Sequence, residues 1–176
     1  MKKIMFNDKY MLTKVVLNGT KTMTRRVIKK EIPIGNWQET EKMLRYKIGE
    51  VVAIAQCYLD IKKPQFDKFG HDAAGNTNKM FVRADLMPHH IKITDVKVER
   101  LQDISDDDCL KEGIMDFIPS DDEYLVERCG YFTSDGGCFL FDTPREAFAK
   151  LINKICGKGT WERNPWVEAY TFEKVD

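Results

Sequence analysis

The run Glu50-Val51-Val52-Ala53-Ile54-Ala55-Gln56 is apolar at every interior position. Successive side chains of a strand point to opposite faces, so such a strand needs cover on both sides, as inside a barrel or a sandwich. A closing strand is expected from Trp166 to Phe172. It is entered through Asn164-Pro165, and proline is tolerated at the first position of a strand. Between the two, the alternation from Ile91 to Leu101 slips. Ile91 and Ile93 share one parity, Val96 and Val98 the other, so the core face would turn outward unless a bulge near Thr94-Asp95 absorbs the slip. Phe81-Val82-Arg83 is a further short candidate strand.

Helices are marked by their ends. Thr143-Pro144-Arg145-Glu146 is a capping box with proline at the first helical position. Phe148, Leu151, Ile152 and Ile155 follow on one face, and Gly157 stops the helix. A second helix runs from Ser105 to Glu112 and ends at Gly113, with Ser105 as cap and Asp106, Asp107 and Asp108 at the positive end of its dipole. An earlier helix is expected from about Asp8 to Asn18, with Met11, Leu12, Val15 and Val16 as its buried stripe and Gly19 as its stop. The segments Lys30–Tyr46, Tyr58–Lys79 and Phe117–Gly137 read as loops or insertions, the middle one rich in turn residues and expected to be mobile. Together these elements predict an α+β fold: a small β-barrel flanked by helices with inserted loops, as one domain over residues 1–176.

A hydrophobic share of 43% is ordinary globular usage. No run approaches the roughly 20 apolar residues of a membrane span. The start Met1-Lys2-Lys3-Ile4-Met5-Phe6-Asn7-Asp8 has the charge of a leader without its apolar stretch, so a cytoplasmic protein with no membrane partner is expected. Cys57, Cys109, Cys129, Cys138 and Cys156 form no Cys-x-x-Cys pair, and His71, His89 and His90 stand at no zinc-finger spacing from them. Reduced thiols, no metal and no cofactor are the expectation.

The 28 basic and 28 acidic residues cancel overall but are unevenly spread. Between Lys2 and Lys47 only Asp8, Glu31, Glu39 and Glu41 oppose a run of lysines and arginines, whereas Asp103 to Glu123 is acidic. Such a segment on a neutral chain points to a focused site for an anion, or to two faces that partly neutralise each other. Within it lies Leu17-Asn18-Gly19-Thr20-Lys21-Thr22-Met23-Thr24-Arg25-Arg26. Ammonium, hydroxyl and guanidinium groups gathered in a few residues suit a phosphate or a planar polar base.

The pattern Gly19-x-Lys21-Thr22-x-Thr24-x-Arg26 resembles the signature near the start of ASCH domains, members of the PUA-like superfamily. Tyr46-Lys47-Ile48-Gly49-Glu50-Val51 resembles that family's turn into a barrel strand. Met87-Pro88 with Ile91–Asp103 resembles the strand before its acidic helix, and Trp161-Glu162-x-Asn164-Pro165-Trp166-Val167 the closing strand of its prophage-associated branch. The resemblance implies a PUA-like barrel that binds RNA or a modified nucleotide or nucleoside. Lys21, Thr22, Thr24, Arg25, Arg26 and Trp161 are the expected ligand-binding residues. Some relatives deacylate N4-acetylcytidine. By position, the resemblance then implies Lys21 as proton acceptor, Thr24 as nucleophile and Glu112 as proton donor. Glu112 also stands out on its own, because a carboxylate at the negative end of a helix is disfavoured and a residue that breaks a rule its neighbours obey is a candidate for function. Without chemistry, Lys21 and Arg26 would hold phosphate while Thr24 meets a base edge. A third expectation is a prophage accessory protein whose acidic Asp103–Glu123 region meets another protein. Oligomeric state is left open.

Overall fold

The longest strand, His90–Arg100, pairs along both of its edges and organises the structure. The structure is a computed structural model that describes residues 1–29, 33, 35–117, 130–133 and 141–176. Its elements are β1 (Lys3–Ile4), α1 (Leu12–Leu17), β2 (Met23–Val27), α2 (Trp37–Met43), β3 (Val51–Ile54), β4 (His90–Arg100), α3 (Asp106–Lys111), β5 (Ile114–Phe117), β6 (Gly130–Thr133), α4 (Pro144–Cys156), α5 (Thr160–Arg163) and β7 (Trp166–Lys174). Five strands form one mixed sheet in the order β1-β3-β4-β7-β2, and β5 pairs with β6 in a separate ribbon. β1 runs parallel to β3, and every other pairing is antiparallel. The fold is α+β, as expected.

The slipped alternation has the expected cause. The register of β4 against β7 shifts between Ile93, which pairs with Phe172, and Asp95, which pairs with Thr171. That irregularity lets Ile91, Ile93 and Val96 all reach the core. Val52, Ala53 and Ile54 of β3 are fully buried on both faces. α4 lays Ala147, Phe148, Leu151 and Ile152 into the same core. Its N-terminus is capped by Thr143 Oγ1, which accepts from the Glu146 amide at 3.2 Å.

The expected barrel does not close. β1 and β2 stand at opposite ends of the sheet and share no ladder. β1 stops after two residues because Asn7 caps a 3₁₀ turn at Asp8–Tyr10 and draws the chain away. The approach of the two edges is instead bridged by a side chain: Arg26 Nη2 donates to the carbonyl of Met5 at 2.7 Å.

Other expectations also need correction. The first helix is interrupted at Met11, whose φ of 54° separates the 3₁₀ turn from α1. Phe81-Val82-Arg83 is not a strand. Lys3 Nζ takes the carbonyls of Lys79, Met80 and Val82 at 2.9, 2.7 and 2.6 Å, and Lys79–Phe81 coils into a 3₁₀ turn. The segment read as a loop at Lys30–Tyr46 contains α2, capped by Asn36. Tyr58–Lys79 has neither α-helix nor strand, but Asn76 is buried and bonds to both backbone groups of Gln65. Of Phe117–Gly137, only residues 117 and 130–133 are described, and they belong to β5 and β6. Cys57, Cys109 and Cys156 are free thiols, while Cys129 and Cys138 lie outside the described residues. No described helix is long and apolar enough to cross a membrane.

Candidate functional site

The turn from α1 into β2 is fixed from two sides. Gly19 turns the chain at φ 82°, and the amide of Lys21 then donates to Val15 O at 2.8 Å. The amide of Thr22 donates to Lys111 O at 2.9 Å. The Lys21 side chain is thereby driven beneath the C-terminus of α3. Gly113 ends α3 at φ 97°, where glycine is favoured, and an added Cβ would crowd Val15 Cγ2 at 3.3 Å.

Lys21 is 2% exposed. Its Nζ donates to Glu112 Oε2 at 2.5 Å and to the Glu112 carbonyl at 2.7 Å. The carboxylate at the negative end of α3 is therefore stabilised by a cation that also satisfies a terminal carbonyl. Arg25 completes the cluster. Its Nε and Nη2 reach Glu99 Oε1 at 2.9 and 2.7 Å, its Nη2 reaches Asp108 Oδ2 at 3.0 Å, and its Nη1 reaches Glu112 Oε1 at 3.4 Å. Burial pushes the Lys21 ammonium below the ordinary lysine value; the pull of Glu112 does not offset it, and Arg26 and Arg25 add repulsion. Burial also works against the charge on Arg25, but Glu112, Glu99 and Asp108 outweigh it and hold its pKa up. Asp108 is the mirror case. Burial would raise its pKa, and hydrogen bonding and attraction to Arg25, with help from Lys111, bring it below the usual carboxylate value.

Arg26 is placed differently. Strand alternation turns it to the opposite face from Arg25. There its Nη2 bonds Met5 O and its guanidinium carbon lies 6.0 Å from the Phe6 ring centre. Its Nε is buried with no partner, and no ion pair to a carboxylate forms among the described residues. Burial lowers its pKa, and repulsion from Arg45 acts in the same direction.

A cavity of about 1050 Å³ occupies the seam where the sheet stays open. Its lining is polar at Lys21, Thr24, Arg25, Arg26, Glu112 and Glu168 and apolar at Leu12, Phe148, Leu151 and Ile152; Lys29, Arg45 and Arg163 add further cations. The edge of β2 contributes backbone as well. Phe172 N donates to Thr22 O and Ile28 N to Trp166 O, so the even-numbered residues of β2 carry the ladder to β7. The N–H and C=O groups of Arg25 and Val27 therefore face the seam.

Of the residues singled out in the sequence, Lys21, Thr24, Arg25, Arg26 and Glu112 line this one cavity. Thr24 is buried, and its hydroxyl has no hydrogen bond to Lys21, whose ammonium is engaged by Glu112. Thr22 and Trp161 are not among the lining residues. Thr22 is fixed by its backbone to α3 and β7. Trp161 packs edge-to-face on Phe148, with ring centres 6.2 Å apart, and its amide bonds Asn153 Oδ1 at 2.8 Å. Its neighbours Thr160 and Arg163 reach the cavity instead. In the acidic region, Asp108 turns inward to Arg25. Arg45, Arg163 and Glu168 were not anticipated. Glu168 left one sequence signal: it is a charged residue on the same parity as Trp166, Tyr170 and Phe172.

No protein-family model matches the chain, and no curated protein matches its sequence. Two solved structures are similar to it over most of its length. One is a protein from Enterococcus faecalis V583 of the family DUF984, at 14% identity and a TM-score of 0.38, covering 94% of this chain and 67% of the other. The second is an ASCH domain from Lactobacillus crispatus JV V101, at 12% identity and a TM-score of 0.40, covering 96% of this chain and 75% of the other. At these identities the likeness concerns the fold alone, and nothing about site or ligand follows from it.

Proposed function

We propose that the seam cavity binds a nucleotide or nucleoside, free or as one unstacked residue of an RNA. The observation that carries this reading is Arg26, a cation with a buried, unpartnered donor on a cavity wall. Buried polar groups in proteins are ordinarily satisfied, and a guanidinium fork matches phosphate oxygens or a base edge. The volume of about 1050 Å³ is at the upper end for small-ligand sites. Its mixed polar and apolar lining suits a ligand with a charged end and a flat, weakly polar face.

A second reading, deacylation of an N4-acylated cytidine, is favoured by Lys21, Thr24 and Glu112 sharing this cavity. Shift of one proton across the 2.5 Å Lys21–Glu112 contact yields the neutral amine and the carboxylic acid that the reaction requires together. Thr24 Oγ1 would then attack the acyl carbonyl as Lys21 takes its proton. Glu112 would protonate the departing amine, and water would release the acid from Thr24. The lowered pKa of Lys21 acts in that direction.

Both readings are tested by incubating the protein with acylated and plain nucleosides and their monophosphates. Calorimetry reads binding and chromatography reads product. Bound but unconverted ligand supports the binding site. Conversion that Lys21→Ala abolishes supports the enzyme. Absence of both binding and conversion across the panel overturns both readings.

A further inference from the structure

Arg26 and Glu168 stand directly opposite each other in the β2–β7 ladder, which puts their side chains on the same face at neighbouring positions. Both line the cavity. Opposite charges so placed ordinarily pair, yet these two do not, because each is held by something else. Arg26 is drawn across the seam to Met5 O. Glu168 is drawn along its own strand: Tyr170 Oη donates to its Oε2 at 2.6 Å, and the same hydroxyl accepts from the Tyr46 amide at 3.3 Å. Tyr170 and Tyr46 are both buried, so the carboxylate is oriented from the core. Glu168 Oε1 is left without a protein partner among the described residues, as is Arg26 Nε.

We infer that Glu168 is the specificity residue of the cavity, accepting an N–H from the base of the ligand while the Arg26 guanidinium stands beside the ring acceptor next to it. The inference rests on the nucleotide-binding reading above and names its substrate class: a heterocycle whose edge carries a ring acceptor next to an N–H. Cytosine and adenine present such an edge through N3 with the 4-amino group and N1 with the 6-amino group. Their deaminated analogues, the pyrimidin-2-one ribonucleoside zebularine and the unsubstituted purine ribonucleoside nebularine, keep the acceptors and lack the donor. A site built to hydrogen-bond a donor rejects a ligand without it, because its own acceptor is then left unpaired. The apolar wall of α4, with Phe148 and Leu151, offers contact to the ring face whichever base is bound.

The test is calorimetric titration of the intact protein with cytidine against zebularine and adenosine against nebularine. The amino-bearing partner of at least one pair should bind about tenfold or more tightly. Glu168→Met, which removes the acceptor, should bring that ratio to near one, and Glu168→Gln, which keeps a partner for Tyr170, should reduce it. Equal binding within both pairs by the wild type overturns the inference while leaving nucleoside binding intact. So does a ratio that survives in a folded Glu168→Met protein. Failure of all four to bind overturns the nucleotide reading itself.

Discussion

Arg25 is buried against Glu99, Asp108 and Glu112, whereas Arg26, the next residue of the same strand, forms no ion pair among the described residues and keeps a buried donor unpartnered. The difference arises from strand alternation alone. One face of β2 brings Arg25 to the carboxylates of α3 and Glu99, and the other carries Arg26 to the carbonyl of Met5. A basic run in a sequence is therefore not one basic site. Both halves of this one line the cavity, but Lys21 and Arg25 are held there by carboxylates far along the chain, and Arg26 is not. Paired cations of the first kind tie α3 to β2, and Arg26 keeps a donor that no protein group uses.

Removing the shared carboxylate should have the largest effect. Glu112→Ala leaves Lys21 and Arg25 buried beside each other with two partners lost from one point. A loss on the order of 3–5 kcal/mol is expected for breaking a buried pair, read as a fall in the urea midpoint. A loss below about 1 kcal/mol would mean that the cluster is not what binds α3 to β2. Arg25→Met should cost less, because Glu99 and Asp108 are about a fifth exposed and can turn to water.

The acid limb sharpens the same contrast. The folded-state pKa of Asp108 lies below its ordinary 3.8, so its contribution is complete above that value and is lost as pH falls through the folded pKa. Asp108→Asn should therefore flatten the decline of stability below pH 3.8, and an unchanged acid profile would contradict the pairing with Arg25. The smallest effect is expected at Lys111. It also pairs with Asp108, but it is half exposed, and Lys111→Ala should stay within about 0.5 kcal/mol.

What could be read from the sequence was local. The cap and stripe of α4, the Ser105 cap of α3 and the irregularity between Ile93 and Asp95 each follow from a few neighbouring residues. Features set by distant partners were not legible. Phe81-Val82-Arg83 has the residues of a short strand, but Lys3, far earlier in the chain, takes the carbonyls of Lys79, Met80 and Val82. Barrel closure was inferred from strand composition, and the early turn at Asn7 prevents it. Trp161 was expected to meet ligand, but Phe148 and Asn153 of α4 engage its ring and its amide. Among the site residues, the cluster at Lys21, Thr24, Arg25, Arg26 and Glu112 could be drawn from motif and position. Glu168 could be assigned to it only through the strand register.

The division of labour between the two arginines is tested most directly by comparing Arg25→Met and Arg26→Met in one pair of measurements, urea unfolding and calorimetric titration with a nucleoside monophosphate. Arg26→Met should unfold within about 1 kcal/mol of the wild type and bind roughly ten- to a hundredfold more weakly, as expected for loss of a charge-assisted donor. Undiminished binding by Arg26→Met, or a binding loss confined to a folded Arg25→Met, would contradict the assignment.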